Sequence, residues 1–400
     1  MEAFIAKTRR SENAKSGFGF FALSLLRVFA MGSVSGFVRV RLAPGRFSAM
    51  MAPMNCWRTV LRGGWGLLLG LTLVPFAQAA SAHPAAKPRA GEVPAAAAPL
   101  KVGLPPPPPG SEGDFPRGVK SWLEVQIALA REGISSGSID GVPGLQSVAA
   151  LQAWQEREAL PSTGKLDQDV RENLMLNTPP LVWMILSQED LSQLQPLSTT
   201  WLGKSEQSAL DYETALELVA ERTHSAPGLI KRLNPKVDWK DVHAGTVLTV
   251  PSVELNAPLA TAALVHISLS QHTLEARDAN GHLVVHFPVS IAHMAEKRPE
   301  GELHVTVVIP DPNYTLDPEV FPESPEAQKL GRKLVIPPGP NNPVGVAWIG
   351  LDKTGYGIHG TPLPELVGRT ESHGCFRLAN WDARLMLDLA WVGLRVVVDP

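Results

Sequence analysis

Gly357-Ile358-His359-Gly360 and Glu371-Ser372-His373-Gly374-Cys375-Phe376-Arg377-Leu378 are the stretches around which this 400-residue chain is organised. The chain has 2 cysteines, and Cys375 is the one that lies outside the N-terminal segment holding Cys56. A lone thiol has two readings. Most free cysteines are small buried hydrophobes. The other reading is a thiolate nucleophile whose proton goes to a histidine oriented by a third group. Gly374 frees the backbone before Cys375 for a close approach to substrate. Ser372, His373 and Arg377 flank the cysteine with polar and cationic groups, a setting that lowers a thiol pKa, where a core would be apolar. His359, upstream, also sits beside a glycine after a stretch patterned as a strand. These residue types favour the catalytic reading.

His359-Gly360-Thr361, then Ser372 through Leu378, with Asn380 and Asp382 just after, resembles the signature of the L,D-transpeptidase (YkuD) family. That resemblance implies a cysteine thioester acyl-enzyme acting on the stem peptides of peptidoglycan, with no cofactor and no metal. Cys375 would attack the donor carbonyl and expel a terminal D-amino acid. His359 would take the thiol proton and return it to the leaving amine. In the family a backbone carbonyl beside the histidine orients it, here that of Gly360, so no aspartate is needed. The oxyanion needs preorganised donors, and backbone N–H groups around His373, Gly374 and Cys375 stand at the right place in the sequence. His373 would shape the pocket and Ser372 belongs to the motif. Arg377 would hold a substrate carboxylate, since a guanidinium matches that group bidentately. A structural ion pair of Arg377 with Asp382 or Glu371 is the competing reading. Histidine before cysteine is the reverse of the papain order and argues against a papain-type peptidase.

Composition sets outer limits. With 36 basic and 39 acidic residues, nothing points to nucleic acid as a partner. Scarce cysteine excludes a disulfide framework and a thiolate zinc site, and no HExxH-type spacing occurs. The 36 prolines and 34 glycines are clustered and mark linkers.

Residues 1–79 read as an export segment. Arg58 and Arg62, the apolar run Trp65 to Phe76 and the small-x-small sequence Ala77-Gln78-Ala79 form a signal peptide, too short in its apolar part to span a membrane. A signal so deep in the chain suggests translation from Met51 or Met54, with an uncleaved N-terminal anchor as the competing reading. Export places the protein in the cell envelope, in the periplasm. Residues 80–117, with Pro105 to Pro109, form an extended spacer.

Two small modules follow. In residues 118–178, Leu123, Ile127 and Leu129 mark one helix and Val148, Leu151 and Trp154 another, joined by the turn-rich loop 137–144. A third short helix follows Asp167. Spacing alone fits a plain three-helix bundle equally well. The order Gln126, Gly133, Asp140-Gly141, Gly144, Leu151, Trp154-Gln155, Leu160, Gly164 is similar to the peptidoglycan-binding type 1 domain, which implies contact with wall glycopeptide. Residues 179–205 read as a connector that begins with the apolar run Leu181 to Leu186. Residues 206–255 hold two helices, Asn234-Pro235, Ala244-Gly245-Thr246 and a final strand, which resembles a LysM module whose first strand is missing or degenerate before Tyr212. Glycan binding and plain spacing are equal readings of this module.

Residues 260–400 change texture. Leu264 to Leu269 and Thr273 to Ala276 alternate, and Asn280-Gly281 is a hairpin turn into His282 to Val289. Glu302 to Ile309, Gly345 to Leu351 and Leu394 to Val398 continue the strands, with one helix at Trp381 to Ala390. The fold class is multi-domain α+β: a mostly-β mixed sandwich, as in the YkuD family, preceded by a small three-helix domain and the LysM-like module. Arg298-Pro299-Glu300-Gly301 stands where that family usually has Thr-Pro-x-Gly. Pro310 to Gly339 has the length and proline content of a lid. The acyl acceptor stays open between a wall-peptide amine, giving cross-links, and an envelope lipoprotein. A carboxypeptidase resolving the thioester with water uses the same residues, and a non-catalytic wall-binding scaffold is the reading from another class.

Overall fold

A computed structural model describes residue 108 and residues 111–320, 324–369 and 374–400. The expected export segment, most of the proline-rich spacer, and Glu371, Ser372 and His373 lie outside the described residues. Among the described residues no helix is long and apolar enough to cross a membrane.

The first module pairs β1 (Arg117–Gly118) with β2 (Met175–Leu176) around three helices, α1 (Trp122–Ala130), α2 (Leu145–Arg157) and α3 (Gln168–Asn173). Ser121 caps α1 and Asp167 caps α3, each accepting from a backbone N–H of the first turn, a device worth about 1 kcal/mol. Val125, Leu129, Leu151 and Trp154 fill the core. Gln126 ties the turn-rich loop to α1, accepting from the N–H of Gly141 at 2.7 Å and donating to Asp140 at 3.0 Å.

In the second module β3 (Leu181–Ile185) is followed by α4 (Gln188–Ser192), α5 (Trp201–Glu206), α6 (Ala215–Arg222), α7 (Pro227–Leu233) and β4 (Val247–Pro251). β3 pairs antiparallel with β4 through Leu181↔Pro251 to Ile185↔Val247. β3 lies inside the stretch read from sequence as a connector, and the segment carrying α4 and α5 separates it from α6. Leu186, Leu218, Val219, Ile230 and Leu248 form the core of this module.

The third module holds β5 (Leu264–Ser268), β6 (Thr273–Arg277), β7 (Leu283–Pro288), β8 (Gly301–Pro310), β9 (Tyr314–Leu316), α8 (Pro325–Leu330), β10 (Leu334–Ile336), β11 (Ala347–Leu351), β12 (Gly357–His359), β13 (Phe376–Arg377), α9 (Asn380–Leu389) and β14 (Arg395–Asp399). Eight strands form one mixed sheet in the order β13-β12-β11-β8-β14-β5-β6-β7. Just past β7, Ser290 bridges back to Arg377 of β13, with N–H to carbonyl distances of 3.0 Å in both directions. The sheet thus curls until its two ends meet, and the two layers of the expected sandwich are two halves of one sheet. Val265, Phe287, Ile349, Ile358, Phe376, Met386 and Val396 pack inside the curl, each large side chain contributing about 1.5–3 kcal/mol by leaving water.

The first module covers the β7 edge. Ser135 N–H donates to the carbonyl of His286 at 2.8 Å, and His286 N–H to that of Gly133 at 3.2 Å, so an edge open to pairing is occupied. β9, α8 and β10, the stretch expected as a lid, share a small core with α5 and the segment after it: Leu316, Leu334 and Ile336 pack with Leu210, flanked by Trp201 and Tyr314. Arg298, the departure from the family turn, donates to the carbonyls of Ala292 at 2.8 Å and His293 at 3.2 Å and so serves that turn structurally.

Candidate active site

β12 ends on His359, and β13 begins just after Cys375. The two strands pair in parallel, Ile358 beside Phe376 and His359 beside Arg377, and Leu378 N–H donates to the carbonyl of His359 at 2.8 Å. Cys375 is the residue before β13, at the meeting point of the two sheet ends. Alternation explains the placement: Ile358 and Phe376 point into the core, which turns their neighbours toward the cleft.

His359 is buried, and its Nδ1 lies 2.6 Å from the carbonyl oxygen of Gly360. A carbonyl only accepts, so Nδ1 is the protonated nitrogen and Nε2 carries the lone pair. The ring stacks on Trp348, its cross-strand partner, with centroids 5.7 Å apart and planes 22° apart. Gly357 leaves room for that indole, since a Cβ there would lie 2.8 Å from its ring. Burial pulls the imidazole down to about 4, the Gly360 carbonyl raising it and Arg377 lowering it further. The histidine is neutral at rest.

The Cys375 thiol faces the turn before β12, with Sγ 3.5 Å from the carbonyl of Gly355. Part of the residue's surface is open. Even so, the surrounding protein pushes the thiol up to about 11 by desolvation, and the N–H of Gly357 and the charge of Arg377 offset only part of this. The cationic flank expected to lower the thiol pKa is present in Arg377, but burial outweighs it. Tyr356 sits over the same place: its ring would touch a Cβ at Gly374, and its own hydroxyl is raised by burial and by the nearby Cys375.

Arg377 is half-buried and close enough to influence both His359 and Cys375. With Ser290, Thr361, Leu363, Leu366 and Val367 it lines a cleft of about 220 Å³, open mouth included. Of the two partners in the competing ion-pair reading, Glu371 lies outside the described residues and Asp382 is engaged elsewhere. Asp382 is fully buried in α9, where desolvation holds its carboxyl well above the usual range, and it accepts from Ser135 Oγ at 2.9 Å. A second hollow, lined by Ser135, Ser136, His224 and Asp382 where the three modules meet, includes neither His359 nor Cys375. No group of three or more metal-binding side chains occurs among the described residues.

Asn380 completes the setting. Its Oδ1 accepts from Thr361 N–H at 3.1 Å and Val346 N–H at 3.3 Å, and a Cβ at Gly345 or Gly360 would collide with that oxygen. The sequence reading named Asn380 only as part of the motif. Trp348 and Tyr356 it missed as site residues, because their signal is cross-strand register and turn geometry.

Residues 262–398 match the YkuD family model, described as L,D-transpeptidase catalytic domain, and residues 119–174 match PG_binding_1, "Putative peptidoglycan binding domain". Among similar proteins, "Putative L,D-transpeptidase YkuD" of Bacillus licheniformis is 25% identical over 185 residues, 46% of this chain and 93% of that one. "Putative L,D-transpeptidase YqjB" of Bacillus subtilis is 35% identical over 118 residues, 28% of this chain and 57% of its own. "Probable L,D-transpeptidase YbiS" of Escherichia coli K12 is 30% identical over 166 residues, 41% and 53%. The chain thus spans nearly all of the first relative and little more than half of the other two. Among solved structures, L,D-transpeptidase 3 from Mycobacterium tuberculosis in complex with a faropenem-derived adduct is 17% identical, with a TM-score of 0.28 over 40% of this chain and 76% of that one.

Proposed function

We propose that this protein is an L,D-transpeptidase that acts on peptidoglycan stem peptides through a thioester on Cys375. The observation that carries the reading is the hydrogen bond from His359 Nδ1 to the Gly360 carbonyl. It leaves Nε2 as the basic nitrogen on the strand directly paired with β13, which Cys375 precedes.

Thiol and imidazole rest neutral, and the gap between about 11 and about 4 opposes a preformed ion pair. His359 takes the thiol proton as the nucleophile forms. The S–H proton passes to His359 Nε2 as sulfur bonds to the donor carbonyl carbon. The developing oxyanion is met by backbone N–H groups at Gly374 and Cys375. Collapse breaks the amide C–N bond, and His359 gives its proton to the departing D-amino acid. An acceptor amine then attacks the thioester carbonyl, His359 takes its proton, and sulfur leaves as the thiol. Arg377 at the cleft wall suits a carboxylate of the donor.

The wall-peptide amine is the acceptor that gives cross-links, and an amine of an envelope lipoprotein is the alternative that gives anchoring. Either acceptor is met outside the cytoplasm, and we take the compartment to be the periplasm, with the first module and the LysM-like second module holding the enzyme near glycan. Incubating the purified protein with disaccharide-tetrapeptide and analysing products by mass spectrometry tests this. A cross-linked dimer that disappears in Cys375→Ala supports transpeptidation. Tripeptide alone assigns a carboxypeptidase, and no product in either protein leaves the scaffold.

A further inference from the structure

Glu221 stands in the last turn of α6, in the second module, far in sequence from the catalytic motif. Its carboxylate nevertheless reaches the catalytic domain: Oε2 accepts from Asn380 Nδ2 at 3.0 Å, while Oε1 accepts from Tyr212 at 3.2 Å. Asn380 is 0% exposed and uses every hydrogen-bonding position of its amide. The nitrogen donates to Glu221 and, at 3.1 Å, to the carbonyl of Pro340. The oxygen accepts from Val346 and Thr361, so it grips the peptide just after Gly360. The Gly360 carbonyl is the group that fixes the tautomer and direction of His359. The amide cannot be turned over without setting its NH2 against two N–H donors, so its orientation is unique.

Other bonds hold α6 against this place. Asn341 Nδ2 donates to Glu217 Oε1 at 2.5 Å and to the carbonyl of Asp211 at 3.0 Å. Leu210 N–H donates to the carbonyl of Pro338 at 2.8 Å, and Asn341 N–H to that of Leu210 at 2.9 Å. His224, just past α6, stacks on Trp381 of α9 with centroids 5.3 Å apart. A spacer needs none of these contacts.

We propose that Glu221 is a positioning residue for catalysis: through Asn380 it holds the Gly360–Thr361 peptide, and thereby the Nε2 of His359, in line with Cys375. The second module is then part of the active-site scaffold, whatever it binds. This rests on the transpeptidase reading above.

The test compares Glu221→Met, which keeps length and volume but accepts no strong hydrogen bond, with Glu221→Gln, whose carbonyl can still accept from Asn380. Imipenem is the probe, and the limiting rate of Cys375 acylation and the concentration giving half that rate are measured separately on the full protein. Expected for Glu221→Met is a limiting rate lower by about tenfold with half-saturation within about twofold, the signature of a lost orientation rather than lost binding. Glu221→Gln recovers most of the rate. The Nδ1–H proton resonance of His359 moves in Glu221→Met and returns in Glu221→Gln, a readout independent of how much protein is folded. Equal limiting rates and an unmoved resonance in Glu221→Met would overturn the proposal while leaving the reaction intact. A wild type that takes no imipenem on Cys375 would instead overturn the reading on which it rests.

Discussion

Replacing Glu221 by glutamine should alter stability with a pH dependence fixed by its surroundings. Desolvation holds this carboxyl up to about 7, outweighing the hydrogen bonds from Asn380 and Tyr212. The unfolded group titrates near 4.5. A raised acid binds its proton more tightly when folded, so its stabilising share is complete below the unfolded value and is lost as pH rises through about 7. Between about pH 5 and about pH 8 the loss is roughly 2–3 kcal/mol, from about 1.4 kcal/mol per unit. Glutamine does not titrate. Urea unfolding of wild type and Glu221→Gln at both pH values gives the double difference, in which every other titrating group cancels. The variant should gain roughly 2–3 kcal/mol on wild type as pH rises over that interval. A difference that stays flat, or one that grows as pH falls, would refute the assignment of Glu221 as a carboxyl buried against Asn380.

His224, held down to about 4 by burial, acts with the opposite sign: its share is present above the unfolded value near 6.5 and is lost as pH falls toward 4. His224→Asn, which suits the left-handed backbone there (φ 52°), should remove about 3 kcal/mol of this acid sensitivity in urea titrations. With the imidazole of His359 also at about 4, Cys375 acylation should keep its base until pH drops below about 5, so a rate collapsing near pH 6.5 would contradict a buried neutral His359. Ser135→Ala removes the hydrogen bond to Asp382 and should cost about 1–3 kcal/mol by thermal unfolding, with the acylation rate of the folded protein unchanged.

Much of this was legible in the sequence. Alternation in Leu264–Ser268 and the Asn280-Gly281 turn gave the strands, and the order from His359 to Leu378 marked the segments that pair as β12 and β13, which Cys375 directly precedes. Three things lay beyond it. The pairing of β3 with β4 joins residues separated by a long segment, and no local pattern reveals such a partner. The closure of the sheet at Ser290 and Arg377 rests on one bridge between distant residues. The thiol was expected to be acidic because the neighbours visible in sequence are charged, whereas desolvation, which depends on packing density in three dimensions, is the larger influence. Glu221 was hidden for the same reason. In sequence it is one glutamate on an amphipathic helix, and only tertiary packing sets it against Asn380.

The covalent intermediate itself offers the most direct test. Wild-type protein and Cys375→Ala are mixed with disaccharide-tetrapeptide, quenched in acid, digested and mapped by mass spectrometry. The account predicts a hydroxylamine-labile acyl group, the donor less its terminal D-amino acid, on the wild-type peptide containing Cys375 and on no peptide of the variant. Product formation with Cys375 unmodified, or an acyl group on any other residue, would contradict it.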